Sequence, residues 1–410
     1  MKLDLNFVRS QFPAFKEASL EGWAFFENAG GSYPCKQFIK LLTDFYMKNK
    51  VQPYYPYPAS QNAGALMDAS YTRMASYLNV NPEEIHFGPS TTQNVYVLAN
   101  AMLPICKNGD EIVVSCQDHE ANSGAWRRLK NRGVNVIEWP VDPENGMLSV
   151  RKLKKILSSR TKIVAYPHCS NVIGHINPVE DISKLAHSVG AMTVVDGVGY
   201  APHGFPNLDR LGADVYLFSL YKTFGPHLGM MYINSSLMSI MKNQSHFFKD
   251  GDTRGMFTPA GPDHAQIASV NGILDYFDTI YEHHFNKGAA PNDKNNALKE
   301  MFRDHETELL TQLLEFLRSR DDVQIIGPDI VKDRLPIVSI IPQNKSIQEV
   351  YKSLVHHKLM AGYGHFYAVR PLLGMNIDLN PGVLRFSFVH YTSKEEIEQL
   401  IEGLSIALSS

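Results

Sequence analysis

Two short apolar runs, each closed by a charge of opposite sign, constrain this chain more than any other feature. Thr193-Val194-Val195-Asp196 reads as a buried strand ending in a carboxylate. Val215-Tyr216-Leu217-Phe218-Ser219 reads as a second one, followed by Leu220-Tyr221-Lys222. A lysine drawn out of water behind such a strand is favoured in its neutral, nucleophilic form. The bland alternatives are a surface lysine at a strand end and an aspartate capping a turn, since Gly197 follows. On neighbouring strand ends, an acid and an amine can grip opposite ends of one flat molecule.

The surrounding pattern makes the strands neighbours. Between about residues 84 and 235, apolar runs alternate with helical patterns. Strands are predicted at 84–88, 111–115, 134–139, 162–166, 192–196, 215–219 and 228–233, with helices at 91–102 and 122–131. This is an α/β pattern: a mostly parallel sheet between helices, with ligands at the carboxyl ends of its strands. The turn-rich segment 283–296 reads as the end of this domain. A helix over 299–319, strands over 335–341 and 383–388, and a helix over 394–407 predict a small α+β domain. The expected division is a large domain over 19–285 and a small one formed by 1–18 with 286–410.

Composition narrows the function classes. The chain has 410 residues, 44% of them hydrophobic, enough for one large domain plus a smaller one. Its net charge of −3 lacks the basic surplus of a nucleic-acid binder. No stretch reaches the roughly 18 apolar residues of a membrane span, and Met1 to Asn6 carry no apolar signal core. Cys35, Cys106, Cys116 and Cys169 form no C-x-x-C pair. That fits reduced thiols in a soluble cytoplasmic protein better than disulfides or a metal site.

Four further candidates stand at predicted strand ends or within a strand. Ser90-Thr91-Thr92 precedes a helix, where hydroxyls and free N–H groups hold a phosphate or merely cap. His119, in Asp118-His119-Glu120-Ala121-Asn122, can stack on a flat ring and move protons, or cap a turn. Asn171, in Ser170-Asn171-Val172-Ile173-Gly174, can donate to a ring oxygen or serve a turn. Arg385, in Val383-Leu384-Arg385-Phe386-Ser387, is a charge inside an apolar strand. It needs an anion, either a substrate carboxylate or a structural partner. Pyridoxal 5'-phosphate (PLP) uses this kind of set: a lysine for the Schiff base and an acid to hold the ring nitrogen protonated.

Together these motifs resemble the class V aminotransferase group of fold-type I PLP enzymes, which includes the cysteine desulfurases and isopenicillin N epimerase-like proteins. The resemblance spans roughly residues 20 to 405. It implies that Lys222 carries PLP, Asp196 faces the ring nitrogen and His119 stacks on the ring. It implies that Thr91, Thr92 and Ser219 bind the phosphate, Asn171 lies near substrate and ring oxygen, and Arg385 binds the substrate carboxylate. It also implies a homodimer with sites at the interface.

The chain departs from the desulfurase pattern at several places. Gly199 stands where a glutamine is common, so its ring-oxygen contact is lost or passes to Tyr200 or His203. Tyr221 replaces the usual histidine before the lysine, and its hydroxyl can serve the phosphate. Gly261-Pro262 replaces a Gly-Thr pair. The stretch Tyr363-Gly364-His365-Phe366-Tyr367 has no cysteine where desulfurases carry a mobile one. Ordinary desulfuration is therefore not expected, and Tyr363, His365 and Tyr367 are expected at the mouth of the site.

The expected activity is transamination or C–S/β-elimination on an amino acid, with Lys222 as the base that moves the α-proton. Epimerisation usually needs a second base on the opposite face and is less favoured. The contrasting class is a PLP-fold protein that binds without turnover. A dehydrogenase is set aside because no G-x-G-x-x-G follows a first strand. Arg254, in Phe247 to Arg254, is either a second carboxylate binder or part of a solvated loop.

Overall fold

Fully apolar strands need cover on both faces, and the fold supplies it. The computed structural model describes residues 1–285 and 288–409. Seven strands form the large sheet in the order Ile85–Gly88, Gly229–Ile233, Val215–Ser219, Met192–Asp196, Thr161–Pro167, Glu111–Ser115, Asn135–Trp139. Gly229–Ile233 runs antiparallel to both neighbours, and the remaining pairings are parallel. Alternate side chains enter opposite cores. Val195, Tyr216 and Phe218 pack with the helices Val179–His187 and His264–His284. Val194, Val215 and Leu217 pack with Thr91–Ala101 and Gly124–Arg128. Such burial on both faces explains why these strands read as continuous apolar runs rather than alternating ones.

The register sets the site. Asp196 pairs with Pro167 and Leu217, and Ser219 with Gly229. Asp196 and Ser219 therefore stand at the carboxyl edge of adjacent parallel strands, where ligands of open α/β sheets bind.

A second, antiparallel sheet has the order Gly362–Gly364, Val383–Ser387, Ile337–Pro342, Val323–Ile326. Its core is shared with the helices Pro291–Arg318, Ile347–His356 and Lys394–Ser409. Ala24–Phe25 pairs in parallel with Leu359–Met360, and Glu27 bridges to Ser387. The N-terminal helix Leu5–Arg9 is capped by Asp4, and Phe12 packs edge-on against Phe224, Tyr276 and Tyr391.

Two sequence expectations are corrected. The helix expected from Lys299 begins at Pro291. Proline is preorganised for a first helical position. The polar turn that hid it is satisfied internally: buried Asn295 exchanges hydrogen bonds with the Phe205 backbone at 3.1 and 2.8 Å. The helix expected over 122–131 is instead a five-residue α-helix, Gly124–Arg128, between two 3-10 turns. Asn122 is diverted by its side chain, which donates to Asp118 and accepts from Trp126. Asn286 and Lys287, inside the segment read as a domain end, lie outside the described residues.

Candidate active site

The carboxyl edge of the large sheet opens into a cavity of about 280 Å³. Thr91, Thr92, His119, Asn171, Asp196, Ser219, Tyr221 and Lys222 all line it. These sequence-predicted residues come together from five separate segments. Arg385 lies beside the cavity rather than on its wall.

Lys222 ends a single 3-10 turn, Leu220–Lys222, directly after the strand Val215–Ser219. The N-terminal segment pins this turn. The Ser32 N–H donates to the Tyr221 carbonyl at 3.1 Å, and Ser32 Oγ to the Lys222 carbonyl at 2.8 Å. Burial brings the Lys222 pKa down to about 8, reinforced by the positive charge of Arg385 and opposed by Asp196 and Glu27. Its amine is therefore a far stronger nucleophile near neutrality than an exposed lysine.

Asp196 is 4% exposed, and its Oδ1 accepts the Val198 N–H at 2.9 Å. Burial pushes its pKa up to about 6, while that N–H and Lys222 pull it down. Asp118 is a second buried carboxyl on the wall. Its Oδ2 accepts from Asn122 at 2.9 Å, and its Oδ1 has no partner. Burial and the charge of Asp196 hold its pKa well above the usual carboxylate range. The residue pattern gave Asp118 no role of its own, since only its neighbour His119 carries a recognisable one.

His119 both caps and faces the cavity. Its Nδ1 accepts the Ala121 N–H at 3.0 Å, which leaves the proton of the neutral ring on Nε2. Burial lowers its pKa to about 3, with Lys222 and Arg385 adding to the effect. Tyr367 sits beside it, with ring centroids 5.4 Å apart.

The opposite wall suits an anion. Ser90 caps the helix Thr91–Ala101 by accepting the Gln93 N–H. The N–H groups of Thr91 and Thr92, in the first helical turn, have no intrahelical acceptor. Thr91 Oγ1 and Ser219 Oγ lie 2.8 Å apart, so two hydroxyls from different elements converge there. Tyr221 stacks on His227, a wall residue the sequence reading did not single out, at 4.7 Å and 7°. His227 follows the lysine turn, but no local pattern marks it.

Asn171 donates through Nδ2 to the Phe366 carbonyl at 3.0 Å, and its buried Oδ1 has no partner. Arg385 donates to the Asn171 carbonyl at 3.0 Å and to Glu27 Oε1. The Phe366 ring covers its guanidinium at 3.7 Å.

Several expectations at the rim are corrected. Neither Tyr200 nor His203 replaces the missing glutamine. Tyr200 stacks on His168 at 3.7 Å, and His203 pairs with buried Glu306 at 2.8 Å. Gly199 itself has no room for a side chain, because a Cβ there would stand 2.6 Å from the Cys169 carbonyl oxygen. Tyr363 turns away to Tyr351, with centroids 5.0 Å apart, and His365 accepts the Tyr367 N–H, so only Tyr367 reaches the cavity residues. Arg254 pairs with Asp68 at 2.5 Å and lies over Tyr71, outside the site.

The wall fits PLP. It offers a depressed lysine, a buried carboxyl, an anion-ready helix end with two hydroxyls, and unpartnered polar atoms on Asn171 and Asp118. Among the described residues, no group of three or more His, Cys, Asp or Glu is arranged to hold a metal ion.

A mostly parallel seven-stranded sheet with this edge site is the architecture of fold-type I PLP-dependent enzymes. Within that class, the chain belongs to the aminotransferase class-V family, whose model matches residues 24–253 and 294–400. The family is PLP-dependent. An aminotransferase-like protein of Gibberella zeae is 33% identical over 98% of this chain and 98% of its own length. A cysteine desulfurase-like protein of Aspergillus flavus is 30% identical over 98% of this chain and 90% of its own. The fold also matches a cysteine desulfurase from Thermococcus onnurineus, with TM-score 0.85, 24% identity, and coverage of 99% of this chain and 98% of that one.

Proposed function

We propose that this protein uses PLP to act at the α-carbon of an amino acid, by transamination or by C–S/β-elimination. The observation that carries this reading is the joint burial of Lys222 and Asp196 on one cavity wall, with the lysine pKa brought down to about 8. When bound, PLP supplies an electron sink for charge developing at the substrate α-carbon.

The chain's own residues do the rest. Lys222 would hold the cofactor through its amine, and that amine is placed to act as the base that moves the α-proton. Asp196 would hold the ring nitrogen, and its buried carboxylate would favour the protonated ring. His119 would stack on the ring, with its own proton held on Nε2. Thr91, Thr92, Ser219 and Tyr221 would hold the phosphate, Asn171 would serve the ring oxygen, and Arg385 would receive the substrate carboxylate.

Desulfuration through a persulfide is not part of this reading. No cysteine occurs in 363–367, and burial raises the thiol pKa of Cys169, the one cysteine on the cavity wall, to about 12. The reading also includes a division into a large cofactor-binding domain, 19–285, and a small domain formed by 1–18 with 286–410. The separate core around Leu313, Val338 and Leu384 supports the C-terminal part of that division; Ala24 and Phe26 also join that core, and Val8 and Phe12 join the large one. It includes a homodimer as well. An apolar groove lined by Phe87, Tyr96, Phe257 and Pro262 opens beside His227 and supports this. Four free cysteines and the absence, among the described residues, of any helix long and apolar enough to cross a membrane accord with a cytoplasmic setting.

The test is incubation of the PLP-loaded protein with a panel of amino acids, assaying keto acid, sulfide and inverted enantiomer, beside Lys222→Ala. Keto acid formation that disappears in the variant is the expected result. No product from any amino acid would sink the reading.

A further inference from the structure

Arg385 is not free to receive a carboxylate as the chain stands. Its side chain is 3% exposed, against 28% for the carboxylate that meets it, Glu27. The contact is built by nonlocal pairing. Glu27 bridges Ser387, Asn28 donates to the Ser387 carbonyl, and the Ser387 N–H donates to Phe26. These bonds lay residues 26–28 along the end of the strand Val383–Ser387. Two glycines make space for the carboxylate. A Cβ on Gly30 would collide with Glu27 Oε2, and one on Gly362 would stand 3.1 Å from Oε1.

The pairing is incomplete on one side. An arginine offers a carboxylate two parallel donors along the edge formed by Nε and one terminal nitrogen. Glu27 takes Nη2, while Nε is buried with no partner among the described residues. The remaining terminal nitrogen is spent on the Asn171 carbonyl. Arg385 cannot leave: it is buried under Phe366 and tied to Asn171. Glu27 reaches solvent and can leave.

We propose that Glu27 is a displaceable stand-in for the substrate's α-carboxylate, and that amino acids bind by exchanging with it on Arg385. This rests on the PLP reading above. The exchange is favourable because an incoming carboxylate gains the buried Nε–H that Glu27 leaves unmet. It also sets selectivity: a ligand without a carboxylate has nothing to exchange and leaves Glu27 in place. Glu27 is thus a positioning and specificity residue, distinct from the groups on the cavity wall.

The test follows the cofactor absorption of PLP-loaded protein during titration with L-alanine and with ethylamine, which is alanine without its carboxylate. Wild type is compared with Glu27→Gln and with Gly30→Ala, which evicts the carboxylate by collision and keeps the charge in the chain. Both variants are expected to tighten L-alanine about tenfold and leave ethylamine unchanged. Unchanged or weakened L-alanine binding in both variants overturns the inference, because Glu27 is then a fixed support for Arg385. A wild-type protein that takes up no PLP overturns the functional reading itself, and this inference with it.

Discussion

Lys222 and Arg385 are both buried cations, yet the two sheets treat them in opposite ways. At the edge of the parallel sheet, Lys222 has no ion pair among the described residues, and burial lowers its pKa to about 8. In the middle of the antiparallel sheet, Arg385 is held by Glu27, the Asn171 carbonyl and the Phe366 ring. A lysine gives up its proton when desolvated, whereas a guanidinium keeps its own and needs an anion instead. Burial therefore produces a nucleophile in one place and a recognition site in the other.

The sharpest way to break this comparison is Lys222→Ala. It is expected to abolish cofactor that stays attached after borohydride reduction and denaturation, along with all detectable turnover, and cofactor still attached would place the covalent link elsewhere. The pH dependence follows from the lowered pKa. Below about 8 the Lys222 amine is protonated and cannot attack, so cofactor uptake rises with pH through about 8 and then levels off. Rapid mixing of cofactor-free protein with PLP over roughly pH 6–10 reads this directly. An inflection near the ordinary lysine value would show that burial does not tune the residue.

Asp196→Asn is next in size. Losing one preorganised charge partner is expected to lower kcat by roughly 10²-fold or more while the cofactor stays attached. Steady-state kinetics beside an absorption spectrum separates the two effects. Arg385→Lys keeps the charge but loses the fork, so KM for amino acids is expected to rise by roughly 10-fold or more with kcat less affected. Equal falls in kcat and kcat/KM would instead assign Arg385 to the reacting centre. The smallest effect belongs to a charge outside both regions. Arg254→Ala, which removes a half-exposed pair with Asp68, is expected to cost ~0.2–1 kcal/mol in a denaturant melt and leave turnover unchanged.

The two regions also differed in how far the residues announced them. The strands 111–115, 192–196 and 215–219 match their sequence-based bounds because each is a short run buried on both faces. Their polar ends then fall on one edge by topology alone, which is why the wall residues were legible. The reversed direction of Gly229–Ile233 was not, since an apolar run carries no sign of its direction. The two-residue strand Ala24–Phe25 and the Glu27 contact were hidden for another reason. They depend on partners more than 300 residues away, with no local periodicity to mark them. The helix from Pro291 was masked by polarity that only the Phe205 backbone explains.

The long separation between Glu27 and its arginine has a consequence for biogenesis. The residues of the cofactor cavity lie between Ser90 and His227, whereas Arg385 is synthesised about 160 residues after Lys222, a gap of roughly 8–30 s at the usual 5–20 residues per second. During that interval Glu27, already outside the ribosome, has no arginine to meet. The reactive half of the site is therefore translated before the half that recognises a carboxylate.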